Sequence, residues 1–266
     1  MRLAFIGDLH GEFPWQWPVA DVLIQVGDFG YWPRYQELWE RRRPPQDVFF
    51  IDGNHEHFPS LYNRQAYDPP GADGLARVWP GLVYLPRGHV QRFGALTLGF
   101  LGGGTSVDRR GRTIGWDWFD EENIGLGEIH RLITTVEQTG PLDLLVTHTP
   151  PMEVQRAFSR QFGTAFIEYW GYRKTWEDPN ALRVQEAWDA TGNPPLVCGH
   201  LHQSFIFHQC CLLDIAEVCY IEEGRIPWLG NVVNAGASSA TPTKSSEDSA
   251  TSAEPLRSRR HSRSTR

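Results

Sequence analysis

Leu3-Ala4-Phe5-Ile6-Gly7-Asp8-Leu9-His10-Gly11 opens the chain with an apolar run that ends in a glycine and two side chains able to hold a metal. The same grammar returns four times. Residues 22–26 lead into Gly27-Asp28, residues 48–51 into Gly53-Asn54-His55-Glu56, residues 142–146 into Thr147-His148-Thr149-Pro150-Pro151, and residues 196–198 into Gly199-His200-Leu201-His202. Short apolar runs bounded by turn residues read as buried strands. Further runs of this kind lie at 82–85 and 96–101, and later at 205–207, 217–221 and 232–233. Segments 35–43, 121–137 and 182–191 lie between or after them with helix-compatible composition, and no internal repeat is present, so the pattern is α/β.

The polar residues cluster where the strands end, which is where side chains of an open α/β sheet converge on a ligand. Carboxylate and amide oxygens suit hard divalent ions, and imidazole suits borderline ones, so a mixed Asp/Asn/His set is a candidate for a pair of catalytic metals. The i, i+2 spacing of Asp8/His10 and His200/His202 places two donors on one side of an extended segment or tight turn. The adjoining glycines let the backbone bend close to an ion.

In this order the five motifs resemble the calcineurin-like metallophosphoesterase pattern D-x-H, G-D, G-N-H-[DE], H and G-H-x-H, over about residues 3 to 236. In size the chain is similar to small bacterial and phage phosphoesterases. The resemblance implies a four-layer αββα sandwich. It implies that Asp8, His10 and His202 hold one metal, that Asn54, His148 and His200 hold a second, and that Asp28 bridges them. Two divalent ions are implied, manganese first, with iron, zinc or nickel as alternatives. A hydroxide held between them would attack the phosphorus of a phosphate ester in line. His55 corresponds to the histidine that faces the leaving group, acting as an imidazolium, and Glu56 to a residue that orients the turn or a ligand imidazole.

The pattern also departs from the family's protein phosphatases. Where those continue G-D-x-x-D-R-G, this chain reads Gly27-Asp28-Phe29-Gly30-Tyr31-Trp32-Pro33 and lacks the phosphate-gripping arginine. Arg109, Arg110 and Arg112, after the glycine-rich stretch 102–104, are replacement candidates. The aromatic stretch 116–119 and the segment 152–193 are candidate covers of the cleft, with core packing as the alternative. Trp15, Trp17, Trp32, Trp39 and Trp79 read as packing residues, and His57, His89, His130, His208 and His261 as structural or exposed. A partial similarity to lariat-debranching enzymes is weakened by Asp8, where that branch carries a cysteine. A nuclease and an inactive scaffold of the same fold are the alternatives to a phosphatase or phosphodiesterase. The substrate is left open between monoester, diester, nucleotide and nucleic acid.

Composition sets the outer limits. Among 266 residues the net charge is −7, but residues 237–266 hold six basic residues against three acidic ones, which leaves the remainder near −10. An acidic body argues against a broad polyanion-binding face. The expected division is a catalytic domain at 1–236 and a disordered Ser/Thr/Arg-rich tail at 237–266, since the tail has almost no large apolar residue to offset its ordering entropy. Cys198, Cys210, Cys211 and Cys219 lack CxxC spacing and read as reduced thiols in a sheet. There is no apolar run of about 18 residues, and Gly7 and Asp8 come too early for a signal-peptide core, so a cytoplasmic protein without a membrane partner is expected.

Overall fold

Strands β1 (Arg2–Ile6), β2 (Val22–Gln25), β3 (Val48–Phe50), β4 (Ala76–Trp79), β5 (Leu82–Tyr84) and β12 (Val218–Glu222) form one six-stranded sheet in the order β12-β1-β2-β3-β5-β4. Its four central strands β1, β2, β3 and β5 run parallel, and β12 and β4 close its edges antiparallel. The second sheet holds β6 (His89–Phe93), β7 (Leu96–Leu101), β8 (Leu144–Thr147), β9 (Leu196–Cys198), β10 (Phe205–Phe207) and β11 (Cys210–Leu212), in the order β10-β11-β9-β8-β7-β6. The computed structural model describes residues 1–63, 75–222 and 224–231, all within the unit Met1–Val232.

The period of two along each strand builds four layers. Leu3 and Phe5 of β1, Ile24 of β2, Leu98 and Phe100 of β7, Leu144 and Val146 of β8 and Val197 of β9 share one core between the sheets. The alternate residues Ala4, Ile6, Leu23, Val48 and Phe50 face outward into a second core. That core includes Trp39 of α1 (Gln36–Arg42) and Phe58 of α2 (Phe58–Tyr62). On the far side Leu145, Leu196 and Cys198 meet α3 (Leu126–Thr139), α4 (Met152–Phe162) and α6 (Pro179–Ala190), which follows the short α5 (Ala165–Tyr169). A strand buried on both faces must be apolar at consecutive positions, which is what the runs in the sequence record. Each fully buried Phe or Leu contributes roughly 1.5–3 kcal/mol. The four-layer α/β sandwich expected from the motifs is the architecture observed.

The differences are local. Strands β4 and β6 were not expected; both are edges and carry Arg77, Gln91 and Arg92, so neither shows an uninterrupted apolar run. Strand β11 is central but only three residues long. The expected helix at 121–137 begins at Leu126 instead, because Asp120–Glu122 is a 3₁₀ turn and the Glu128 carboxylate accepts the Gly125 N–H at 2.6 Å. The four cysteines are free thiols on β9, β11 and β12. Among the described residues no helix is long and apolar enough to cross a membrane. The expectations for residues 232–233, His261 and the tail at 237–266 lie outside the described residues.

Candidate metal centre

The five motifs occupy the loops that leave β1, β2, β3, β8 and β9, so the C-terminal ends of parallel strands from both sheets meet at one place. Two glycines make the close approach possible. A Cβ on Gly53 would stand 2.1 Å from Asp28 Oδ1, and one on Gly199 would stand 2.1 Å from Asp8 Oδ1. Four of the polar residues are left-handed: His10 (φ 48°), Asp28 (φ 53°), His200 (φ 77°) and His202 (φ 51°). Such conformations cost of order 1–3 kcal/mol each and persist only where the surroundings enforce them.

Asp8, His10, Asp28 and His202 form one group whose donor atoms all lie within 4.8 Å of one another. His202 Nε2 is 3.0 Å from Asp8 Oδ2 and 3.0 Å from His10 Nε2. His10 Nε2 is 3.8 Å from Asp28 Oδ2. Asp8 and Asp28 are buried, whereas His10 and His202 reach the cleft. Burial works against the charge on Asp28, but His148, His55 and His10 outweigh it and hold the carboxyl well below the usual range.

Asn54, His148 and His200 converge on the other side of Asp28. His148 Nδ1 faces the Val26 carbonyl at 3.1 Å and therefore donates, leaving the Nε2 lone pair to point inward. That Nε2 lies 3.1 Å from Asn54 Oδ1, 3.2 Å from His200 Nδ1 and 3.4 Å from Asp28 Oδ2. Asn54 is held with its oxygen inward because its Nδ2 donates to Ser106 Oγ at 3.1 Å, and Ser106 Oγ donates to Glu122 Oε2 at 2.6 Å. The Ser106 N–H donates to Glu122 Oε1 at 3.0 Å. Asp178 Oδ2 is buried without a hydrogen-bond partner and lies 3.8 Å from His200 Nε2, which favours a proton on that nitrogen and a lone pair on Nδ1.

In the second group the His148 Nε2, His200 Nδ1 and Asn54 Oδ1 lone pairs face one another, and in the first the His10 and His202 ring nitrogens crowd beside the Asp8 carboxylate. Separations near 3 Å match the edge of a coordination polyhedron with bonds of roughly 2.1 Å. A cation would turn this crowding into coordination, so the residues fit the divalent metals that the family usually binds. Burial disfavours the charged form of His148, but Asp28 and Asp8 raise its pKa to about 9.

His55 stands beside this pair, its Nε2 3.9 Å from Asp28 Oδ2 and its backbone N–H donating to Asp28 Oδ1 at 2.7 Å. Arg112 Nη2 lies 2.7 Å from His55 Nδ1 and 3.3 Å from Nε2, and since a guanidinium only donates, the ring accepts from Arg112. Burial, helped by Arg112 and partly countered by Asp28, lowers His55 to about 4. Glu56 holds the turn after Asp28, accepting the Phe29 N–H at 2.8 Å and the Tyr31 N–H.

A cleft of about 330 Å³ opens over the centre, lined by Asp28, Asn54, His55, His200, Phe166 and Trp170, so the aromatics of α5 and its C-cap border the site. Of the three candidate arginines Arg112 comes beside His55, its Nη2 2.7 Å from Nδ1. Arg110 lies 5.6 Å from the Tyr172 ring, and Arg109 is exposed on a 3₁₀ turn. In the stretch 116–119, Phe119 is buried and Trp116 is exposed at 77%. Trp39 and Trp79 pack in the core, Trp15 is exposed, and Trp32 lies at the site, donating to the His55 carbonyl at 2.9 Å. His57 N-caps α2 through Ser60, a structural role as expected. Ser106, Glu122 and Asp178 were not singled out in the sequence, and only the position of Asp178 before Pro179 marks it, as a helix cap.

Residues 1–204 match the family of calcineurin-like phosphoesterases, and the chain belongs to that family. Its members usually bind divalent metals. No curated protein matches the sequence. Among solved structures the chain is similar to a candidate 5′-nucleotidase from Staphylococcus aureus, in complex with alpha-ketoglutarate, at 13% identity and a TM-score of 0.43. The match covers 83% of this chain, which spans half the length of that one.

Proposed function

We propose that the chain is a two-metal hydrolase of phosphate esters, with Asp8, His10 and His202 holding one ion, Asn54, His148 and His200 the other, Asp28 shared between them and His55 at the leaving group. The observation that carries this reading is the convergence of carboxylate, amide and imidazole metal-donor atoms on both sides of Asp28 Oδ2. When bound, the two ions would neutralise charge on the phosphoryl oxygens and lower the pKa of the attacking water. Water then adds to phosphorus, the bond from phosphorus to the leaving oxygen breaks, and the departing group takes up a proton to leave as an alcohol. His55, beside Asp28, would hydrogen-bond that leaving oxygen through its ring. Trp32, through its bond to the His55 carbonyl, and Arg112, through Nδ1, fix the ring in that orientation.

The test is hydrolysis of bis-p-nitrophenyl phosphate and p-nitrophenyl phosphate by chelator-stripped protein after adding back manganese, nickel, zinc, iron or magnesium. Turnover restored by at least one metal is expected. Faster diester cleavage assigns phosphodiesterase work and faster monoester cleavage assigns phosphatase work. Turnover that survives chelation contradicts the reading.

A further inference from the structure

Two of the four cysteines meet between the sheets. Cys211 lies on β11 of the second sheet, in register with Val197, and Cys219 on β12 of the first, in register with Phe5. Phe5, Val197 and Cys211 belong to the core between the sheets, and Cys219 packs against that core. Cys198 and Cys210 point instead into the helix-covered core on the far side and are fully buried. Strand β12 is an edge of its sheet, and residues 213–217 alone connect it to β11, so the pair sits where the chain passes from one sheet to the other.

The two thiols are unequal. The Cys211 S–H donates to Cys219 Sγ, and this bond holds the Cys219 thiol below its usual range, although burial and Glu217 oppose it. Cys219 is also half-buried, whereas the other three cysteines are buried. The same bond, with burial, makes Cys211 keep its proton. Cys219 therefore has the character of an attacking thiol and Cys211 that of the resolving one, with sulfurs already in contact. The connection between them also supports the loop after β1: the Ala216 N–H donates to the Asp8 carbonyl at 3.0 Å, and the Gly7 N–H donates to the Glu217 carbonyl at 2.9 Å.

We propose that Cys211 and Cys219 are a modification site, a thiol pair that a small disulfide such as oxidised glutathione converts reversibly into a covalent link between the two sheets. The Cys219 thiolate attacks one sulfur of the oxidant and releases the first reduced glutathione. Cys211 then attacks the Cys219 sulfur of the mixed disulfide and releases the second. The protein thiols give up two electrons and two protons, which leave on the two glutathione thiols. The resting form is the dithiol.

The native full chain would be incubated with oxidised glutathione, its remaining thiols blocked, and the product cleaved at Asp214 and Glu217, which separates the two cysteines, before mass spectrometry. The expected product is a pair of peptides joined through Cys211 and Cys219, lighter by two hydrogens than the dithiol. The link should disappear on treatment with dithiothreitol and persist in Cys198→Ala and Cys210→Ala. Cys211→Ser should stop at glutathione held on Cys219, and Cys219→Ser should take up none. Glutathione that stays on Cys219 of the wild type, thiols that all remain free, or a link that forms only after denaturant has opened the fold overturns the site. Where a serine variant does not fold, the peptide map of the wild type decides alone.

Discussion

Asp28 carries the centre at the scale of single residues. One oxygen accepts the His55 N–H, which fixes the carboxylate, and the other faces His10 and His148 from opposite sides. Asp28→Asn places an amide donor among lone pairs, so metal content and turnover are expected to fall together, measured on the same sample. His55→Ala removes only the hydrogen bond to the leaving group. It should keep both ions while kcat falls by about 10²–10⁴. Ser106→Ala probes the support of Asn54: with the amide unanchored, affinity at the second site should weaken about 10–100-fold in a chelator competition, with the first site retained. The seven candidate ligands were legible in the sequence because each sits in a short motif next to its own strand. Ser106, Glu122 and Asp178 were not, since Asn54 meets Ser106 across 52 positions, and an isolated serine or glutamate carries no local mark.

The loop that supports the metal centre is itself held by a buried charge. Arg87 follows β5 and donates to Asp52 Oδ2 at 2.5 Å and 2.8 Å, to the Asn123 carbonyl at 2.7 Å and to the Glu121 carbonyl at 2.8 Å. It ties the end of β3 to the 3₁₀ turn that presents Glu122. Arg87→Met leaves Asp52 buried and uncompensated, so a loss of about 3–5 kcal/mol is expected in denaturant unfolding. Glu122 adds a pH dependence: burial raises its pKa to about 7 from an ordinary 4.5, against the bonds from Ser106. Between those values the folded chain holds a proton that the unfolded chain has released, so stability should fall as pH rises from about 4.5 to 7, by up to about 3 kcal/mol. Glu122→Gln should flatten that segment of the stability profile in metal-stripped protein. An unchanged slope would remove the assignment. At this scale the central strands were legible because burial on both faces demands apolar runs, whereas edge strands β4 and β6 hide behind Arg77 and Arg92.

Over the whole molecule, two sheets that share one core bring the loops after five strands to a common edge, and the candidate ligands are drawn from both sheets. Asp8, Asp28 and Asn54 come from the first, and His148, His200 and His202 from the second. Neither sheet alone would complete either proposed ligand set, because the first draws on His202 and the second on Asn54. Metal binding should therefore couple the sheets and stabilise the fold by mass action. Of the three arginines offered as replacement candidates, the path of the loop after β7 brings Arg112 beside His55, whereas Arg110 lies against the Tyr172 ring. The most direct test of the central claim is a titration of metal-stripped full chain with manganese, reading bound ions by mass spectrometry and diester hydrolysis from the same samples. Two ions per chain, with activity rising as the second is filled and both lost in Asp28→Asn, is the predicted result. Full activity with fewer than one ion bound, or two ions retained when Asp28 is changed, would contradict it.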